Sequence, residues 1–293
     1  MKVLMATDGS KHATAALTAA GRMLAETGRD VELLAVAPVV RLGPGGEQDR
    51  VCRRAKRAVE RTQAALKDAG IDVRTGVKLG SPARVIVAAS FHYDLTVVAA
   101  ASHRAGSMNG LGPVASRLAE HAGGSALLAR ESTNTAGPRI LVAVDGSEGS
   151  IRALDKLVEL IDLSVADVTL LHVSETPWLH AGPDQEWLGF QEEEEEAIDP
   201  QAQMEREFVR EADEILANAR ERLPARTAVN TLVYEGLPTG EILSEADRGD
   251  YDLVVIGATG ARDLKHRILG SVSSAVAWNA PCSVLLVRGA DWQ

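Results

Sequence analysis

Ile140-Leu141-Val142-Ala143-Val144-Asp145-Gly146-Ser147 is an apolar run closed by an acidic turn, and the chain contains this pattern twice. Val3-Leu4-Met5-Ala6-Thr7-Asp8-Gly9-Ser10 precedes it by 137 residues, and Leu33-Leu34-Ala35-Val36 precedes Leu170-Leu171-His172-Val173 by the same interval. Farther on, Tyr93-Asp94-Leu95-Thr96-Val97-Val98 matches Tyr251-Asp252-Leu253-Val254-Val255-Ile256 at an interval of 158. Self-similarity at fixed spacing marks a repeat architecture. The chain therefore reads as two tandem copies of one domain, over residues 1–131 and 138–290. The second copy carries 21 extra residues, most of them near Trp178–Pro200. A short polar linker, Ser132-Thr133-Asn134-Thr135-Ala136-Gly137, joins the copies.

Within each copy, apolar runs alternate with amphipathic stretches. Arg139–Val144 is nearly continuous in apolar residues, the pattern of a strand covered on both faces. Asp145-Gly146-Ser147 ends it, and Ser147 followed by Glu148 is a helix start. Ile151, Leu154, Leu157, Val158 and Ile161 then recur at helical spacing. Strands are expected over Val168–Val173, Thr227–Tyr234, Asp252–Gly257 and Ser283–Val287. Helices are expected over Gln203–Leu223, Pro238–Ala246 and Ser271–Trp278. That alternation predicts an α/β chain of two tandem, doubly wound domains, each with a mostly parallel sheet and helices on both faces.

Composition narrows the function. The 293 residues carry 31 Lys plus Arg against 41 Asp plus Glu, a formal charge of −10. Such a surface repels phosphate backbones, no local basic patch stands out, and aromatics are only 3%. No nucleic-acid partner is expected. Cys52 and Cys282 have no ligand spacing and read as small buried hydrophobes. No apolar run approaches the ~20 residues of a membrane span, and the first residues lack a signal-peptide core. A cytoplasmic protein without a membrane partner is expected.

Ligands of doubly wound sheets bind beyond the carboxyl ends of the strands, where strand order reverses. In the second copy, strand four runs into Gly257-Ala258-Thr259-Gly260, nine residues, then Gly270-Ser271-Val272 at a helix start. Gly257 lets backbone approach a ligand closely, and Gly260 can take the left-handed conformation that aims peptide N–H groups at one point. Gly270, Ser271 and Val272 offer helix N-terminal amides, which favour an anion, and Ser271 adds a hydroxyl. The set suits phosphates. Asp145 would repel phosphates, so it belongs with the nucleoside end of a ligand or serves simply as a turn residue. Val173 can present its backbone to a base edge.

These residues resemble a universal stress protein domain of the ATP-binding kind. The resemblance rests on Val142–Ser147, Leu171-His172-Val173 and Gly257-x2-Gly260-x9-Gly270-Ser271. It implies a five-stranded parallel sheet per domain in the order 3-2-1-4-5, with the two domains packed as a pseudo-dimer through their last strands. It places Asp145 and Val173 at the adenosine part, beside Ala143 and Val144. Gly257, Gly260, Gly270, Ser271 and Val272 would hold ribose and phosphates of ATP (or ADP or AMP), often with Mg2+ or Mn2+. It leaves open whether two chains form a homodimer. It implies a stress-response binding protein and no settled reaction.

The first copy departs from the pattern. Ala99, Ser102, Gly112 and Pro113 stand where the second has Gly257, Gly260, Gly270 and Ser271. Proline has neither the N–H nor the hydroxyl. One competent site, in the C-terminal domain, is therefore expected. His103 and Arg104 could substitute as cationic donors in the first copy, and Lys265, His266 and Arg267 have the right sign in the second; all five also fit exposed loops. The insertion's Glu192–Glu196 reads as a solvated arm or as a lid, with Trp178 or Trp187 over the base. No catalytic residue is nominated. A slow ATPase and a nucleotide-free scaffold are the competing readings.

Overall fold

The computed structural model describes residues 1–24, 29–40, 47–100, 110–132, 134, 137–175, 200–259 and 269–289. The first half runs β1 (Lys2–Ala6), α1 (Lys11–Met23), β2 (Asp30–Ala37), α2 (Glu47–Asp68), β3 (Arg74–Leu79), α3 (Pro82–Ser90), β4 (Leu95–Ala99), α4 (Pro113–His121) and β5 (Ser125–Ala129). The second half repeats it with β6 (Arg139–Ala143), α5 (Glu148–Leu160), β7 (Asp167–Ser174), α6 (Pro200–Glu221), β8 (Ala228–Glu235), α7 (Pro238–Arg248), β9 (Leu253–Gly257), α8 (Ser271–Asn279) and β10 (Ser283–Val287).

The strands form one ten-stranded sheet in the order β3-β2-β1-β4-β5-β10-β9-β6-β7-β8. Neighbours are parallel within each half, and β5 and β10 meet antiparallel with Leu127 opposite Leu285. Central strands are buried at nearly every position because helices cover both faces: β9 and β10 have no exposed residue. On one face Leu17, Val59, Leu154 and Leu216 share a core drawn from α1, α2, α5 and α6. On the other, Ile86, Leu118, Ile242 and Val276 from α3, α4, α7 and α8 share a second.

Two local details differ from the sequence reading. The long helix α6 begins at Pro200 rather than Gln203, since proline at the first helical position lacks only an N–H that would have no partner there. A 3-10 turn over Leu163–Val165, with the Asp162 side chain accepting from the Ser164 N–H, precedes β7. The expected absence of a basic patch also needs correcting. Once the apolar ridge of α2 is buried, Arg50, Arg53, Arg54, Lys56, Arg57 and Arg61 all face outward.

Candidate functional site

The site is assembled where β6, β7 and β9 end and α5 and α8 begin. Val144 continues β6, its N–H donating to the Leu171 carbonyl at 2.9 Å. Its own carbonyl accepts from Nδ1 of the buried His172 ring at 2.9 Å, so that nitrogen carries the proton. His172 thereby ties the ends of β6 and β7 together. Asp145 follows, then Gly146 at φ +73°, a left-handed residue that swings the chain into α5. Ser147 caps α5: its hydroxyl accepts from the Ser150 N–H at 3.2 Å and donates to Asp145 Oδ1 at 2.5 Å. The Ser147 N–H reaches the same oxygen at 3.1 Å. The two readings of Asp145 are therefore compatible: it braces the turn and lines the crevice beyond it.

At the other wall, Gly270 caps α8 in an extended conformation. Its N–H donates to the Ala258 carbonyl at 2.8 Å, so it is already taken. This corrects the expectation that Gly270 contributes an amide to a ligand. The first-turn amides of Ser271, Val272 and Ser273 lack intrahelical acceptors by construction. Ser273, unremarked in the sequence reading, fixes this end of the helix, its buried hydroxyl donating to the Gly257 carbonyl at 2.6 Å. Gly257 also has a packing role that the sequence did not reveal. A Cβ placed on it would lie 2.7 Å from the carbonyl carbon and oxygen of Gly149, so its bareness seats the first turn of α5.

Between these walls lies a crevice of about 370 Å³, within the usual ~300–1,000 Å³ range of ligand pockets. Ala143, Val144, Asp145, Val173, Gly257, Gly270, Ser271 and Val272 all line it. Gly260 lies outside the described residues, as do His103, Arg104, Lys265–Arg267, Trp178, Trp187 and Glu192–Glu196. Phe208 of α6 adds an aromatic side chain to the lining that the sequence reading did not nominate. Glu175 after β7 and Glu211 of α6 join Asp145 along the lining, and β6, which Asp145 follows, lies between β7 and β9 in the sheet. Among the described residues no three or more His, Cys, Asp or Glu gather to hold a metal ion.

The first half keeps the backbone frame and changes the chemistry. The Gly112 N–H donates to the Ala100 carbonyl at 2.8 Å, matching Gly270 and Ala258. Pro113 then occupies the first position of α4. Ala115 stands in place of Ser273, and His12 in place of Gly149.

Comparison with known proteins fits this frame. The chain is 28% identical over 300 residues to a universal stress protein of Mycolicibacterium smegmatis, covering 98% of this chain and 96% of that one. It is 34% identical over 151 residues to a universal stress protein of Bacillus subtilis, covering 51% of this chain and 98% of its relative. A universal stress protein structure from Archaeoglobus fulgidus shares the fold, with a TM-score of 0.65 at 20% identity over 98% of each chain. No described helix is long and apolar enough to cross a membrane. The universal stress protein family model matches residues 1–130 and again 138–288, and the chain belongs to that family.

Proposed function

We propose that the protein is a stress-response regulator that binds an adenine nucleotide, ATP first among them, at a single competent site in its C-terminal half. The observation that carries this reading is the polarity of the crevice. Bare amides and the exposed Ser271 hydroxyl of α8 line it on the β9 side, Glu175 and Glu211 line it from β7 and α6, and Asp145 at the end of β6 lies between. A polyanion is stabilised at a helix N-terminus and repelled by carboxylates. The triphosphate therefore lies toward α8, with the nucleoside toward Asp145, Val173 and Phe208. When bound, the nucleotide supplies the charge that distinguishes the occupied regulator from the empty one. Any Mg2+ or Mn2+ would arrive with the nucleotide's phosphates.

Pairing of the two halves through β5 and β10 supports reading each chain as its own closed pair of domains. The first half then serves as the non-binding member. We place the protein in the cytoplasm. No catalytic group is assigned.

Thermal shift in ATP, ADP, AMP and cyclic AMP tests the reading. A ligand that binds only the folded state raises its stability by RT ln(1 + [L]/Kd). ATP is expected to raise Tm, and Ser271→Pro to weaken binding about tenfold or more by removing an amide and a hydroxyl directed at phosphate. Equal shifts in the parent and a normally folded Ser271→Pro variant would refute the site. No shift with any nucleotide would favour a scaffold. Metal-dependent phosphate release would favour a slow ATPase.

A further inference from the structure

The helical face formed by α1, α2, α5 and α6 is electrically lopsided. α2 carries seven basic residues against four acidic, whereas α6 carries three basic against six acidic. Their buried ridges align residue for residue: Ala55, Val59, Thr62 and Leu66 of α2 with Ala212, Leu216, Ala219 and Leu223 at and just beyond the end of α6. In that register Arg50, Arg54, Lys56 and Arg57 stand where α6 has Glu207, Glu211, Asp213 and Glu214. The sign is inverted at all four positions, and all eight residues are exposed. Positions 50, 54 and 57 follow i, i+4, i+7 spacing, so they line one side of the helix. The grooves beside them differ in the same sense. A shallow groove of about 400 Å³ between α1 and α2 is lined by Lys11, Arg22 and Arg61, and one of about 180 Å³ between α5 and α6 by Glu211 and Glu214.

Both helices lie on one face, because a single buried cluster runs beneath all four. They occupy its opposite ends, α2 over β2 and β3 and α6 over β7 and β8. A face that is positive at one end and negative at the other is complementary to itself when turned over. We infer that the chain forms a two-fold homodimer through this face, α2 of each copy lying against α6 of the other. Such an arrangement is closed and uses one patch twice, the commonest form of oligomer. A second copy fits better than a nucleic acid. The molecule is strongly acidic overall, and α6 would repel a phosphate chain laid across the same face. Among the described side chains, α6 exposes one large hydrophobic residue, Val209, and α2 exposes none. The contact is therefore polar, and charge governs its specificity and salt response.

Sedimentation velocity on the full chain tests this. The parent is expected to sediment as a dimer in ~0.01 M salt and to dissociate in ~1 M salt, where the screening length falls to about 3 Å. R50E/R54E/R57E and E207R/E214R should each weaken self-association at least tenfold, with circular dichroism unchanged because the altered residues are exposed. Glu211 is left intact because it lines the crevice. An equimolar mixture of the two variants should recover the dimer, since each then meets its opposite at both ends. A parent that is monomeric in low salt, a dimer indifferent to both variants, or a mixture that stays monomeric would overturn the inference. So would an intact R50E/R54E/R57E dimer that has lost an RNA gel shift shown by the parent, which would assign α2 to nucleic acid.

Discussion

Gly257 and Gly149 lean on each other. A Cβ on Gly257 would stand 2.7 Å from the Gly149 carbonyl, and one on Gly149 would run into the Thr259 carbonyl. The first half has Ala99 and His12 at these places, so both positions carry a side chain there. Gly257→Ala should therefore cost about 1–3 kcal/mol by overpacking, even without nucleotide. Chemical denaturation of the ligand-free protein reads this. Unchanged stability would mean that the N-terminus of α5 yields freely and that the glycine serves the ligand alone. Cys282 gives a second test. Burial pushes its thiol up to about 12, from a usual 9.0, against the opposing pull of the nearby Arg130 charge. A raised thiol pKa contributes stability that is complete below pH 9.0 and is lost as pH climbs toward 12. Over that window the parent should lose stability relative to Cys282→Ala. At neutral pH a thiol reagent should modify only the partly exposed Cys52, and both cysteines after denaturation. Rapid native labelling of both would contradict the burial of Cys282.

At the scale of elements, α5 depends on Ser147, which caps the helix and holds Asp145 Oδ1. Ser147→Ala should destabilise the protein by ~0.5–2 kcal/mol and reduce the Tm gain from ATP, because Asp145 loses a brace. A stability loss with the full ATP gain would confine Ser147 to capping. The helix start at Ser147 was legible in sequence, as was the strand–helix alternation, because apolar periodicity and turn residues are local signals. Eight of the nine nominated nucleotide residues line one crevice, since the turns after β6 and β9 were readable as turns. What was not legible depends on contacts between distant segments. His172 looks like any strand residue until the Val144 carbonyl is beside it. Ser273 matters because of Gly257, and Gly257 because of Gly149. Phe208 reads as one apolar residue of a long helix, and only the placement of α6 over β7 turns it toward the crevice. The arginines of α2 were visible as letters, but their common outward face appears only when the buried ridge is fixed.

Across the whole molecule, the halves grip each other reciprocally at the β5–β10 seam. Arg130 Nε donates to the Cys282 carbonyl at 3.1 Å, and the Arg130 N–H to the Ser283 hydroxyl at 3.0 Å. Arg288, at the equivalent place in the second half, reaches the Gly124 carbonyl at 3.5 Å and also donates to the Ala119 carbonyl. Burial pulls the Arg288 guanidinium down to about 10, which leaves it charged at neutral pH. Between these arginines, Leu127 faces Leu285 across the ladder with both side chains buried. One hydrophobic cluster then spans the two halves. Energy lost at the seam is therefore lost to both, and the chain should unfold as one unit. Leu127→Ala should cost ~2–5 kcal/mol and move a single calorimetric transition to lower temperature, without splitting it. If ATP binds in the second half as proposed, it should raise that whole transition, because the first half cannot open without exposing the edge of β10 that pairs with β5. Two separated transitions, with ATP shifting one of them alone, would instead show halves that fold independently and merely touch.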